Sequence, residues 1–136
     1  MKILFIGGTG TISTAITKKL AATEHELYLL NRGNHNAELP EGVKFIIANI
    51  NDEAEAAKAL EGMSFDVVCD FIGFVPAQLE RDYRLFTGKC KQFMYISSAS
   101  AYAKPVKDYV ITEGTALANP YGEYSRNKIA CGEYLM

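Results

Sequence analysis

The chain has 136 residues, of which 49% are hydrophobic, 22% charged and 11% aromatic. That mix belongs to one packed globular domain and excludes a disordered or fibrous chain. Fourteen Lys plus Arg against sixteen Asp plus Glu leave a net charge of −2 with the signs interspersed, which argues against a basic face for nucleic acid or membrane. Cys69, Cys90 and Cys131 form no CxxC and lie near no His pair, so neither a disulfide framework nor a metal site is expected, and a reducing cytoplasm suits them.

The first apolar run, Lys2 to Ile6, is too short for a signal-peptide core or a membrane span and reads as a strand. GGTGTIS, Gly7 to Ser13, follows at once and opens a helix expected over Thr11 to Ala22. In that context Gly7 permits a tight turn, and Gly10 lets the backbone approach a pyrophosphate seated on the helix N-terminus. A second strand, Glu26 to Leu30, runs into Asn31 and Arg32. An acidic residue expected about 20 positions beyond such a loop would accept the hydroxyls of an adenosine ribose. The neutral amide of Asn31 removes repulsion toward a 2′-phosphate, and the Arg32 guanidinium can pair with it, so NADP is favoured over NAD.

Asn31 to Gly42 reads as a surface loop. His25 and His35 lack the spacing of a metal pair and read as structural or solvated. A third strand is expected over Val43 to Ala48, then a helix over Glu53 to Leu60 with Asp52 as cap and Gly62 beyond its last turn. A fourth strand, Asp66 to Cys69, precedes a helix over Ala77 to Phe86 entered through Pro76, and a fifth strand covers Gln92 to Ile96. Most of these strands are apolar throughout, as burial on both faces requires. The order βαβ, then βαβαβ, joined by right-handed crossovers, predicts an α/β fold with a doubly wound parallel sheet, strand order 3-2-1-4-5. Asp70, at the end of strand four, is expected to be capped or paired, because an unpaired buried carboxylate is costly.

Strand five leads into ISSASAY, Ile96 to Tyr102, which sets hydroxyls at the carboxyl end of a strand, where open α/β sheets bind ligands. Ser98 can there hydrogen-bond a reacting oxygen. Lys104 to Tyr121 reads as a loop, and Tyr102, Tyr109 and Tyr121 read as packing residues with wet hydroxyls. A last helix from about Tyr124 to the end puts Tyr124 and Lys128 four residues apart on one face. A nearby ammonium favours phenolate, which suits proton exchange with an alcohol or carbonyl.

GGTGTIS after strand one, NR after strand two, ANIND after strand three, DFIG after strand four, SSASAY after strand five and YSRNK span essentially the whole chain. Together they resemble the short-chain dehydrogenase/reductase superfamily, specifically its extended and atypical NAD-dependent epimerase/dehydratases. The resemblance implies a Rossmann domain with Ser98, Tyr124 and Lys128 as the catalytic triad, Tyr124 as general acid/base and Lys128 also holding the nicotinamide ribose. It places Thr11 and Ile12 beside the pyrophosphate, Asn49 and Ile50 beside the adenine, and Phe71, Ile72 and Gly73 along the cofactor; Asn49 stands where an acidic residue is usual. It implies a nucleotide sugar or another carbonyl or alcohol as substrate, and a homodimer formed through the helices after strands four and five.

Family members are longer and build the substrate pocket from later segments. Residues 1–136 are therefore expected to be the dinucleotide-binding domain of a longer enzyme, truncated before the C-terminal substrate lobe and inactive alone. A cofactor-sensing Rossmann protein without chemistry is the alternative. RNA binding, as in an atypical branch that includes chloroplast RNA-binding proteins, is disfavoured by the net charge.

Overall fold

A computed structural model describes residues 1–136. Its strands are β1 (Lys2–Ile6), β2 (Glu26–Asn31), β3 (Lys44–Ile47), β4 (Phe65–Asp70) and β5 (Cys90–Tyr95), and its helices α1 (Thr11–Ala21), α2 (Glu53–Ala59), α3 (Pro76–Phe86) and α4 (Glu123–Leu135). All strand pairs are parallel, in the order β3-β2-β1-β4-β5. This is the doubly wound sheet expected from the chain order, with element ends shifted by a residue or two.

Alternation along β1 divides the core. Leu4 and Ile6 join Ala56 and Leu60 of the α2 segment and Leu85 and Phe86 of α3 on one face, while Ile3 and Phe5 join Leu27, Leu29 and Cys69 on the other, backed by Leu20 and Ala21 of α1. Each fully buried Leu stabilises the fold by about 1.5–3 kcal/mol relative to exposure. Cys69 is enclosed there, and burial pushes its thiol up to about 11, so it serves as a small apolar residue.

The edge strands depart from the expectation of burial on both faces. Phe45 and Ile47 of β3 and Met94 of β5 are exposed, because each lies at a sheet margin where the helices cover less. Tyr109 and Tyr121 also stand exposed and do not pack; the loop carrying them has no core beneath it to receive a ring. No helix is long and apolar enough to cross a membrane.

Candidate cofactor and catalytic site

At the carboxyl end of β1 the chain turns through Gly7 and Gly8, both at positive φ (100° and 91°). The tightest approach is at Gly8, where a Cβ would meet Leu29 Cδ2 at 2.6 Å, so only glycine fits. The Gly-Gly doublet directly after a strand is the sequence signal for Gly8. Its carbonyl accepts from the buried Thr17 hydroxyl at 2.9 Å, which fixes the loop to α1. Ser13 is buried, and its hydroxyl accepts the Gly10 N–H at 2.9 Å. The N–H groups of Thr11, Ile12 and Ser13 find no acceptor within the chain, and they form the partly positive end of an 11-residue helix.

Two adjoining clefts open above these groups. The larger, about 450 Å³, is lined by Gly7 to Ser13 with His35, Phe71, Ile72 and Ile96. The other, about 270 Å³, is lined by Gly7, Thr9, Leu30 to His35, Ala48 to Asn51 and Ile72. Of the expected cofactor residues, Gly7, Gly10, Thr11, Ile12, Phe71 and Ile72 border the first, and Gly7, Asn31, Arg32, Asn49, Ile50 and Ile72 the second. Gly73 and Lys128 border neither.

The Asn31 amide is committed to its own loop. Oδ1 accepts the Gly33 N–H at 2.8 Å, while Nδ2 donates to Asn36 Oδ1 at 2.8 Å and lies 3.5 Å from the Gly7 carbonyl. Arg32 is exposed and forms no ion pair. Asn49 Oδ1 accepts the Asn51 N–H at 3.0 Å and shapes the turn after β3. His35, read from the sequence as structural or solvated, is exposed and lines both clefts; its place beside the glycine loop comes from the chain's fold-back after β2, which spacing alone does not reveal.

Of the expected catalytic residues, Lys128 is anchored at the ends of β4 and β5, and Ser98 lies in the turn after β5. Lys128 is 2% exposed, and its ammonium donates to the carbonyls of Gly73 at 2.7 Å and Ile96 at 2.9 Å. Burial pulls Lys128 below its ordinary value, against the opposing pull of Cys131 and Asp70. The ammonium lies 4.6 Å from the Tyr95 ring centroid, 4.9 Å from Phe74 and 5.9 Å from Tyr124. Tyr124 is half exposed at 49%, so Lys128 anchors from beneath while Tyr124 faces solvent. Ser98 Oγ lies 2.9 Å from Ser100 Oγ and accepts the Ser100 N–H, capping the short turn Ala99–Ala101.

Asn119, which spacing did not flag, clamps this turn to α4: its amide donates to the Ser100 carbonyl at 2.7 Å and to Ser125 Oγ at 3.3 Å. An Asn-Pro pair just ahead of a helix was the only sequence signal for it. Gly73 has its own steric reason, since a Cβ there would collide with Asp70 Oδ2 and meet Leu79 Cδ2 at 2.9 Å.

A parallel sheet in this order, a glycine turn baring helix N–H groups and a cleft across the strand ends define a dinucleotide-binding Rossmann domain. Residues 3–136 match the sequence model of the NAD dependent epimerase/dehydratase family, and the chain belongs to that family. It is 28% identical over 133 residues to a 2′-dehydrokanamycin reductase of Streptomyces kanamyceticus, covering 98% of this chain and 37% of that protein. It is also 28% identical over 144 residues to a UDP-glucose 4-epimerase of Lactobacillus helveticus, covering 90% of this chain and 43% of the relative. A UDP-glucose 4-epimerase from Bifidobacterium longum, solved with NAD+ and UDP, superposes with a TM-score of 0.82 at 19% identity, over 99% of this chain and 48% of that one. The chain thus spans about two fifths of the length of these curated relatives.

Proposed function

We propose that this chain is the NAD(P)-binding domain of an oxidoreductase or epimerase/dehydratase acting on a nucleotide sugar or another carbonyl or alcohol. The observation that carries the reading is Lys128, held by the carbonyl of Ile96, a residue lining the same cleft into which the free N–H groups of Thr11, Ile12 and Ser13 open. The residues present fit a dinucleotide: unpaired main-chain donors and a glycine that admits no Cβ suit a diphosphate, and the free guanidinium of Arg32 suits a 2′-phosphate, which favours NADP. Asn49 and Ile50 would border the adenine, and Phe71, Ile72 and Gly73 the remainder, Gly73 through its hold on Lys128.

A nicotinamide cofactor, when bound, supplies hydride exchange at a carbon bearing a hydroxyl or carbonyl. The chain's residues supply the rest: Tyr124 moves the hydroxyl proton, Lys128 sets the local positive charge one helical turn away and turns its third N–H, the one not given to Gly73 or Ile96, toward the ribose, and Ser98 turns its hydroxyl from Ser100 toward the reacting oxygen. We place the protein in the cytoplasm as a homodimer through α3 and α4.

Tyr124→Phe is expected to lower kcat by about 10²–10⁴-fold in the active protein, with cofactor affinity, read by fluorescence titration, unchanged. Turnover retained by this variant overturns the assignment of Tyr124. Tight NADP(H) binding by the unaltered protein, with no turnover of a carbonyl and nucleotide-sugar panel, favours a cofactor-sensing role instead.

A further inference from the structure

Beneath the Phe71–Gly73 turn lie two carboxyl groups that neither the clefts nor the proposed chemistry uses. Asp70, the last residue of β4, and Asp82, in the middle of α3, are both fully buried. One oxygen of each is satisfied: Asp70 Oδ1 accepts the Ile72 N–H at 2.7 Å, and Asp82 Oδ1 accepts from Arg81 Nε at 2.9 Å and Nη2 at 2.7 Å. The other oxygen of each, Oδ2, has no partner. A Cβ at Gly73 would meet both Asp70 Oδ2 and Leu79 Cδ2, so this oxygen faces α3, the helix that carries Asp82, and the Asp70 charge acts on the Asp82 carboxyl. Two bare carboxylates side by side in a dry interior repel and lack solvation, a cost removed when one proton lies between them.

We propose that Asp70 and Asp82 form a buried acid pair sharing one proton, and that this pair holds the Phe71–Gly73 turn in place for Lys128. Only one of the two carboxyls has an ion-pair partner: Arg81, whose Nη1 is braced by Asn51 Oδ1 at 2.8 Å, pairs with Asp82, and no cation pairs with Asp70. The other ionisable groups around the pair are Cys69 on β4, Tyr95 on β5, and Lys128 and Cys131 on α4. None of them gives a hydrogen bond to either Oδ2. Asp70 reaches the turn twice, through the Ile72 N–H and by filling the space a Cβ at Gly73 would take, and the Gly73 carbonyl receives the Lys128 ammonium. Asp70 and Asp82 are thus positioning residues, and their pairing requires neither the cofactor nor the reaction proposed above.

Burial raises Asp82 to about 8, with the charge of Asp70 adding to the rise and Arg81 opposing it. The folded chain therefore keeps a proton that the unfolded chain releases near pH 4. The stability this proton confers is complete below that value and is lost as pH rises toward about 8. Across this window the pair contributes a rise of up to about tenfold per pH unit in the unfolding constant.

The test is an NMR pH titration of the protein and of Asp82→Asn, paired with urea unfolding at each pH. Asn supplies an N–H in place of the shared proton and does not titrate. In the unaltered protein the Asp82 carboxyl carbon is expected to titrate near 8, and the Ile72 amide and Lys128 ammonium resonances to move with the same midpoint. In Asp82→Asn that midpoint vanishes, and the variant gains stability relative to the unaltered protein as pH rises from 5 to 8. Absence of any carboxyl titrating near 8 overturns the pair, and it does so in the unaltered protein even if the variant does not fold. A carboxyl that titrates near 8 while Ile72 and Lys128 stay still overturns the positioning role.

Discussion

The two regions beyond the strand ends are built by opposite means. On the α1 side the groups facing the cleft are main-chain N–H donors at a helix start, shaped by Gly7 and Gly8. On the α4 side the organising groups are charges removed from water: Lys128 on two carbonyls, with Asp70, Asp82 and Arg81 packed beneath. The first arrangement asks only for a backbone conformation that glycine permits. The second is a network of buried polar groups, so loss of one member strands those it holds.

Substitutions that separate the two regions give different signatures. The largest expected effect on stability is from Gly8→Ala, where positive φ and the overlap with Leu29 together cost about 2–4 kcal/mol. Urea unfolding reads the loss, and dinucleotide binding should fall with it. Lys128→Met is next. It leaves the Gly73 and Ile96 carbonyls without their donor and should cost about 1–3 kcal/mol, with diphosphate contacts on the α1 side intact. A Lys128→Met protein as stable as the original would mean that water replaces the ammonium and that the α4 side is not a closed network.

The smallest effect belongs to Arg32→Ala. Arg32 is exposed and forms no ion pair, so stability should not move. Affinity for NADP(H) should fall about tenfold while that for NAD(H) stays level. Equal loss for both cofactors would remove Arg32 from 2′-phosphate recognition.

The same contrast decides what was legible in the sequence. Strand order, helix positions and the glycine loop followed from apolar runs and punctuation, because those features are local. The expectation that Asp70 would be capped or paired holds, since Ile72 N–H caps it and Asp82 adjoins it. Its partner was invisible: an Asp on α3 reads as a solvated helix residue until the helix docks and turns it inward. Asn119 was missed for a similar reason, because its bonds to Ser100 and Ser125 span elements separated by an irregular loop. The exposed edges of β3 and β5 show the converse, as apolar residues at sheet margins look like core residues in a linear reading.

The central claim is that the open helix start and the glycine turn hold a pyridine dinucleotide. Calorimetric titration of the protein and of Gly8→Ala with NADPH and NADH tests it most directly, with circular dichroism confirming that the variant is folded. Saturable one-to-one uptake by the unaltered protein, tighter for NADPH and lost in the variant, is the predicted result. No heat of binding from either nucleotide with the unaltered protein would contradict the claim.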